Sequence, residues 1–497
     1  MILSPGMTEF GRDLITTVEA VTIVYMLALN SFYALTIGLS IPELLRDWRI
    51  GDDESLRLLR AANVVPPVSV LVPAHNEVQT IVASVRSFLS LEYPIHEVVV
   101  VNDGSTDGTM QALIDAYDLY EVPQSYRAVV NSAPVRGYYR SRVHTGLACV
   151  DKVNAGKGDS LNAALNAARF PYVLAVDADT LVERDALLRL ARPFVLGEDV
   201  AAVGGTIRVA NGSTIENGRV LVPRVDARWL PGIQTVEYLR AFLFGRLAWN
   251  RLGGGLIISG AFGLFKHSHL QAIGGYRVDS VTEDLDVVLR LHEHLRDTGS
   301  TDLVLFVPDP VAWTEVPVTL KVLRHQRERW HRGLISTLIT HRRVMFNPHF
   351  GILGFVAYPF FFFGEMLAPL VELLGYAVFL LSIVFGMFDA SYARLYFFAA
   401  LGYGLITSLW AVLLEELSFR KYKTRRDLRR LIWFAMIEPF GYRQLTVLYR
   451  AEAFWSYFRR KKRWGVMTRE VNASEGAPDH SAFTGAASSP SLSAKST

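Results

Sequence analysis

The chain has one cysteine, little charge and, through its middle, no long apolar run. A single cysteine, Cys149, among 497 residues cannot close an intrachain disulfide, so a disulfide-stapled secreted fold and an all-cysteine metal site are both excluded. Charged residues are only 20% against 51% hydrophobic, with mean hydropathy +0.23, too apolar for a typical water-soluble chain; a membrane protein is expected. Neither sign of charge dominates. With 51 Lys and Arg against 48 Asp and Glu, the net charge of +3 gives no basic field for nucleic acid and no acidic excess of the disordered kind. Length allows about two to four domains at roughly 150 residues each.

What is present is unevenly spread. Ala20 to Ile41 is 22 residues without a charge, enough at about 1.5 Å per residue to cross a bilayer core of roughly 30 Å. Glu9, Arg12 and Asp13 before it do not form a basic leader, so a retained signal anchor is expected, not a cleaved peptide. Arg46, Arg49, Arg57 and Arg60 follow it, and the positive-inside rule puts the next segment in the cytoplasm.

From about 61 to 345 the pattern changes to that of a cytoplasmic α/β domain. Val68–Val72, Glu97–Val101 and Tyr172–Val176 are short β-branched runs, each ending in a polar cluster and followed by a helix-like stretch. This predicts a parallel, Rossmann-like sheet whose ligand crevice lies at the carboxyl ends of its strands. From 346 to 470 apolar composition returns. Two crossings are expected, Met366–Phe388 and Leu395–Glu416, with Phe350–Gly364 and Leu431–Trp455 interfacial or re-entrant and a cytoplasmic basic block from Arg420 to Arg430. Residues 471–497, rich in Ser, Ala, Gly and Pro, are expected to be a disordered tail.

The polar clusters carry the chemistry. Pro73-Ala74-His75-Asn76-Glu77 follows the first run and Asn102-Asp103-Gly104-Ser105-Thr106-Asp107-Gly108-Thr109 the second. A carboxylate such as Asp103 can accept an imide N–H, although a turn with a Thr/Asp helix cap reads equally from these letters. Asp151-Lys152-Val153-Asn154-Ala155-Gly156-Lys157-Gly158 offers lysines to a diphosphate, or is a solvated turn. Asp177-Ala178-Asp179 ends the third run; on a strand, residues two apart face the same way, and such paired oxygens suit Mg²⁺ or Mn²⁺. The plainer alternative is that Asp179 or Thr180 caps a helix beginning at Leu181. Thr282-Glu283-Asp284 and Gln326-Arg327-Glu328-Arg329-Trp330 follow. In a helix, Gln326, Arg329 and Trp330 share a face, where an indole can stack on a sugar and a guanidinium can bind a diphosphate, or where both can sit at lipid headgroups.

Taken in order, these motifs resemble the membrane-bound, processive glycosyltransferases of family 2, the group of poly-β-1,6-N-acetylglucosamine, hyaluronan, chitin and cellulose synthases. The resemblance covers about Val68 to Gly333. It implies a GT-A-type nucleotide-sugar domain joined to an α-helical transmembrane region. By resemblance, Pro73, Asn76, Glu77, Asp103, Lys157, Asp177 and Asp179 bind the nucleotide sugar, the last two also holding Mg²⁺ or Mn²⁺. Asp284 is implied as the general base, and Gln326, Arg329, Trp330, Ser259, Gly260 and Glu283 as the groups around acceptor and diphosphate. Trp464–Arg469 is similar to a gating segment with two extra residues. Asn102 replaces a usual acid, residues 121–148 are longer than expected, and no PilZ-type module is expected after the core, which disfavours cellulose.

The implied activity is metal-dependent, inverting transfer of a sugar, N-acetylglucosamine for preference, from a UDP-sugar to a β-linked polysaccharide passing through the membrane. Partners are then the UDP-sugar, the polysaccharide acceptor and the bilayer of the cytoplasmic membrane, with no nucleic acid; accessory export subunits are left open. Addition of a single sugar to a lipid or glycan is the alternative. A non-enzymatic receptor on the same scaffold is remote, because all four aspartates are present.

Overall fold

The computed structural model describes residues 5–50 and 65–459, apart from 198, 217, 244 and 387–389. The expected Trp464–Arg469 gate and the 471–497 tail lie outside the described residues. The central sheet is built from β1 Val68–Ala74, β2 His96–Asp103, β3 Leu119–Val122, β4 Val135–Ser141, β5 Leu147–Lys152, β6 Tyr172–Val176, β7 Leu181–Val182, β8 Val200–Val209, β11 Phe262–Lys266 and β12 Leu303–Thr314; β9 Thr214–Glu216 and β10 Arg219–Val222 form a separate ribbon.

Strand order is β3-β4-β5-β2-β1-β6-β11-β8-β12-β7. The parallel expectation holds for β5, β2, β1 and β6. Outside them β8 and β12 are also a parallel pair, but β11 runs antiparallel to both β6 and β8, and β4 runs antiparallel to both β3 and β5. The domain is therefore a mixed α/β sheet. The long 121–148 connection is accounted for by β4, which takes up most of the basic Arg136–Arg142 stretch.

The runs in β1 and β2 are continuous because both faces are covered. Val70, Val72, Val98 and Val100 pack into one cluster with Ile81, Val85 and Phe88 of the helix Ile81–Leu89. Leu71, Val99 and Val101 pack into another with Leu161 and Leu165 of the helix Lys157–Ala167 and Val287 and Val288 of the helix Glu283–Asp297. The parallel strands all end at one edge, where Asp103, Lys152 and Asp177 emerge.

By length and composition one described helix can cross a bilayer, Gly11–Leu45 within Pro5–Ile50; a second exists only if Leu353–Met366 and Ala368–Val384, bent by 41°, are one span. The Leu395–Glu416 segment is not a separate crossing helix of that kind. It is divided into Ala390–Phe397, a π-helical stretch Phe398–Gly402, and Tyr403–Ser418, whose Ser408 accepts from Arg240 of the helix Trp229–Leu243 at 2.8 Å. Leu431–Trp455 is two helices, Arg425–Ile437 and Tyr442–Phe458, packed against the helices Trp229–Leu243 and Leu320–Thr340.

Four glutamates of this region are paired with arginines. Glu372 meets Arg443 at 3.0 Å, Glu365 meets Arg450 at 3.3 Å and accepts from Tyr33 at 2.7 Å, Glu438 meets Arg240 at 2.9 Å, and Glu415 meets Arg208.

Candidate active site

Asp103 closes β2 with its carboxylate almost wholly occupied. Lys152 Nζ and the Ala155 N–H donate to Oδ1, at 2.5 and 3.0 Å, and the Gly156 N–H donates to Oδ2 at 2.8 Å. One acceptor position on Oδ2 remains for an imide N–H. Lys152 is fully buried and also meets Asp159 at 2.9 Å, so of the two lysines offered to a diphosphate it is the structural one.

The loop after β1 is stitched to the loop after β2. Asn76, in the left-handed region at φ 56° that Asn tolerates, donates its N–H to Ser105 Oγ at 3.0 Å and accepts from the Thr106 N–H at 2.9 Å. The Glu77 N–H donates to Thr109 Oγ1 at 2.9 Å, and the Val78 N–H to Asp107 Oδ2 at 3.1 Å. Pro73 pairs in register with Val101. These residues hold the Asp103 loop in place.

The second lysine gathers the chemistry. Lys157 Nζ lies 2.6 Å from Asp177, 3.0 Å from Glu283, and donates to Gly260 O at 3.3 Å. Asp284 accepts from the Gly260 N–H at 3.1 Å and from the Leu285 N–H, at the start of its own helix, at 2.9 Å. Gly260 sits close against both groups: a Cβ would meet Lys157 Nζ at 3.1 Å and Asp284 at 3.2 Å, so a side chain there would push on the lysine and the carboxylate. Lys157, Asp177, Gly260, Glu283 and Asp284 thus converge from four separate segments, and Ser259 adjoins them.

Electrostatics follow from this crowding. Burial and the Glu283 charge push the Asp284 carboxyl above the usual range, against opposing pulls from Lys157 and the two N–H groups. Asp177 is also raised, by burial and by Asp179, although Lys157 opposes it. Burial would raise Glu283 too, but Lys157 outweighs it and the net shift is downward, with Arg329 contributing.

Asp177-Ala178-Asp179 does not lie on a strand. β6 ends at Val176, and the Thr180 N–H closes a turn onto Asp177 O at 3.0 Å. The capped helix at Leu181 is absent as well: Leu181–Val182 is β7, and the next helix begins at Ala186. Among the described residues no group of three or more His, Cys, Asp or Glu forms a metal cage. Two hard carboxylates, one with its ionised form disfavoured by burial and a like charge, fit Mg²⁺ or Mn²⁺ when a diphosphate completes the ligand set.

The helix Leu320–Thr340 brings in the last motif. Thr319 caps it by accepting from the Val322 N–H. Gly333 lets it approach the Thr282-Glu283-Asp284 corner, since a Cβ there would lie 2.2 Å from Thr282 Cγ2. Gln326 is buried with Oε1 unpartnered, Arg329 is half-buried with its charge acting on Glu283, and Trp330 is 37% exposed.

Three features lay beyond the sequence reading. Arg246, stacked 3.9 Å over Phe242 with Nη1 buried and unpartnered, acts electrostatically on Asp284, and burial pushes it down to about 10. It belongs to no motif, so no signal pointed to it. Arg327 binds Glu237 through both terminal nitrogens; its place inside the Gln326–Trp330 motif was the available signal. Gly333 had a signal only in its spacing from Trp330.

A family model described as Glycosyltransferase like family 2 matches residues 66–333, more than half of the chain. Poly-beta-1,6-N-acetyl-D-glucosamine synthase of Staphylococcus epidermidis is 32% identical over 272 residues, 54% of this chain and 55% of that protein. The synthase of the same name from Staphylococcus aureus (strain COL) is 30% identical over 269 residues, 54% of each chain. The chain therefore spans about half the length of the curated relatives it matches. Among solved structures, a mannosyltransferase from Pyrobaculum calidifontis in complex with GDP-Man and Mn²⁺ aligns with TM-score 0.51 and 19% identity, over 89% of this chain and 100% of that one; at that identity the likeness concerns the fold.

Proposed function

This chain belongs to the family Glycosyltransferase like family 2, and from that premise we propose that it transfers N-acetylglucosamine from UDP-N-acetylglucosamine, with inversion, to a β-linked polysaccharide. The observation that carries the reading is the convergence of Lys157, Asp177, Gly260, Glu283 and Asp284 at the carboxyl edge of the parallel strands. The names of the curated relatives support the sugar.

In this reading Asp103 offers its remaining Oδ2 position to the uracil imide. The acceptor hydroxyl attacks the anomeric carbon and the bond from that carbon to the diphosphate oxygen breaks. Asp284 takes the hydroxyl proton, and UDP departs with the bonding pair. The raised Asp284 carboxyl is a better proton acceptor once ionised, and the Gly260 and Leu285 N–H groups keep its oxygens oriented. Lys157 and Arg329 stabilise the leaving diphosphate. Gln326 and Trp330 receive the acceptor sugar, Trp330 by stacking. Asp177 and Asp179 would hold Mg²⁺ or Mn²⁺, which supplies charge neutralisation to the diphosphate.

The helix Pro5–Ile50 fits a membrane anchor, with the catalytic domain on the cytoplasmic side and the helices after 346 lying against the bilayer. Single addition is the second reading. One observation favours keeping it: Glu365 and Glu372, the acids that a polar sugar path would use, are engaged by Arg450 and Arg443. Membranes containing the protein, supplied in turn with each radiolabelled UDP-sugar, test both. Incorporation from UDP-N-acetylglucosamine into material of many residues supports polymer synthesis. Incorporation of one sugar per acceptor selects the alternative, and no incorporation from any UDP-sugar overturns the donor class.

A further inference from the structure

We infer that Arg327, Glu237 and Tyr442 form a clamp that positions Trp330 for the acceptor sugar, linking the acceptor end of the site to the helix Tyr442–Phe458. The inference rests on the proposed stacking role of Trp330. Arg327 Nη1 donates to Glu237 Oε1 at 2.7 Å and Nη2 to Oε2 at 2.8 Å, a two-pronged pair that fixes the guanidinium plane. The Tyr442 hydroxyl donates to the same Oε2 at 2.7 Å. The guanidinium carbon lies 5.0 Å from the centre of the Trp330 ring, within cation–π range.

Burial separates the holder from the held. Arg327 is 8% and Tyr442 4% exposed, whereas Trp330 is over a third exposed. Side chains from three helices are thus locked beneath a ring that stays accessible to a ligand. A sugar stacking on that ring needs the indole in one orientation, and a guanidinium fixed at both prongs supplies it without itself reaching the acceptor. Arg324 provides an internal control. It pairs with Glu452 at 2.8 Å, tying the same two helices, Leu320–Thr340 and Tyr442–Phe458, through an exposed contact.

The test uses the full chain in detergent, with UDP and a β-linked N-acetylglucosamine oligosaccharide as separate probes in equilibrium titrations. Arg327→Lys should weaken oligosaccharide binding about tenfold, as loss of roughly 1.4 kcal/mol implies, and Tyr442→Phe a few-fold, while UDP binding stays within about twofold. Arg324→Gln should leave both affinities unchanged. Tyr442→Phe removes one hydroxyl and guards against an Arg327→Lys variant that does not fold. Oligosaccharide affinity unchanged in Tyr442→Phe and Arg327→Lys, a parallel loss of UDP and oligosaccharide binding, or an equal loss in Arg324→Gln, would overturn the clamp. Because binding is read without turnover, the clamp can fail while sugar transfer stands, and transfer can fail while the affinity shift stands.

Discussion

The acids at the catalytic crevice and those of the helices after residue 346 are handled in opposite ways. Among the latter, Glu365, Glu372, Glu415 and Glu438 each have a separate arginine: Arg450, Arg443, Arg208 and Arg240. At the crevice one lysine, Lys157, is shared between Asp177 and Glu283, and Asp284 is held by two backbone N–H groups. One-to-one pairing neutralises charge where water is scarce and fixes helices to one another. Sharing leaves the crevice carboxylates dependent on whatever enters, which suits the proposed uptake and release of a diphosphate.

The largest expected effect tests the paired region. Glu372→Leu strands the Arg443 guanidinium, which remains 27% exposed, so a loss of about 3 kcal/mol, the low end for breaking a buried pair, is expected in thermal unfolding of the solubilised protein. Glu372→Leu combined with Arg443→Leu should recover most of it. Equal losses in the single and double variants would break the comparison. An unchanged midpoint with a shortened product would instead assign Glu372 to a polar path for sugar.

Next in size is the effect on the proposed base. Asp284→Asn keeps an amide oxygen for one of the two N–H groups, which reach different oxygens of Asp284, but cannot accept the proton, and turnover should fall on the order of 10²-fold with UDP binding retained. Near-normal turnover would remove Asp284 from the role. Metal removal comes third: excess EDTA should lower turnover by on the order of tenfold or more, restored by Mn²⁺ or Mg²⁺, while the unfolding midpoint set by the arginine pairs stays put. Full activity in EDTA would mean that Lys157 and Arg329 suffice for the diphosphate.

The same contrast explains what was legible in the sequence. β1, β2 and β6 are short apolar runs buried on both faces, and the polar letters after them fall at strand ends, so the motifs gather at one edge of the sheet. β8, Val-Ala-Ala-Val-Gly-Gly-Thr-Ile-Arg-Val, and the antiparallel β11 have no such local signature. Their direction is set by neighbours distant in the chain. Lys152 and Lys157 look alike as letters; Asp103 and Asp159, which bury one and leave the other to the crevice, are placed only by folding. Glu372 and Arg443 are 71 residues apart, so the letters around either one do not show that the fold pairs them.

The smallest expected effect is a shift in pH dependence, and its sign separates the two regions. A base works ionised, so turnover rises with pH through the Asp284 pKa, and because burial and Glu283 raise that pKa, the acid limb should lie above the ordinary carboxylate range. Glu283→Gln removes the neighbouring negative charge and releases Lys157 from one of its two acids. Both changes favour ionised Asp284, so the limb should move to lower pH. Glu438→Gln changes an acid already matched to Arg240, far along the chain from the site, and should leave the limb where it is. The measurement is the pH profile of kcat for the wild type and the two variants. A limb that stays in place or moves upward in Glu283→Gln would mean that Glu283 acts on Asp284 chiefly by holding Lys157 in position, and the shared-lysine account of the crevice would have to be replaced by one in which the pair is structural there too.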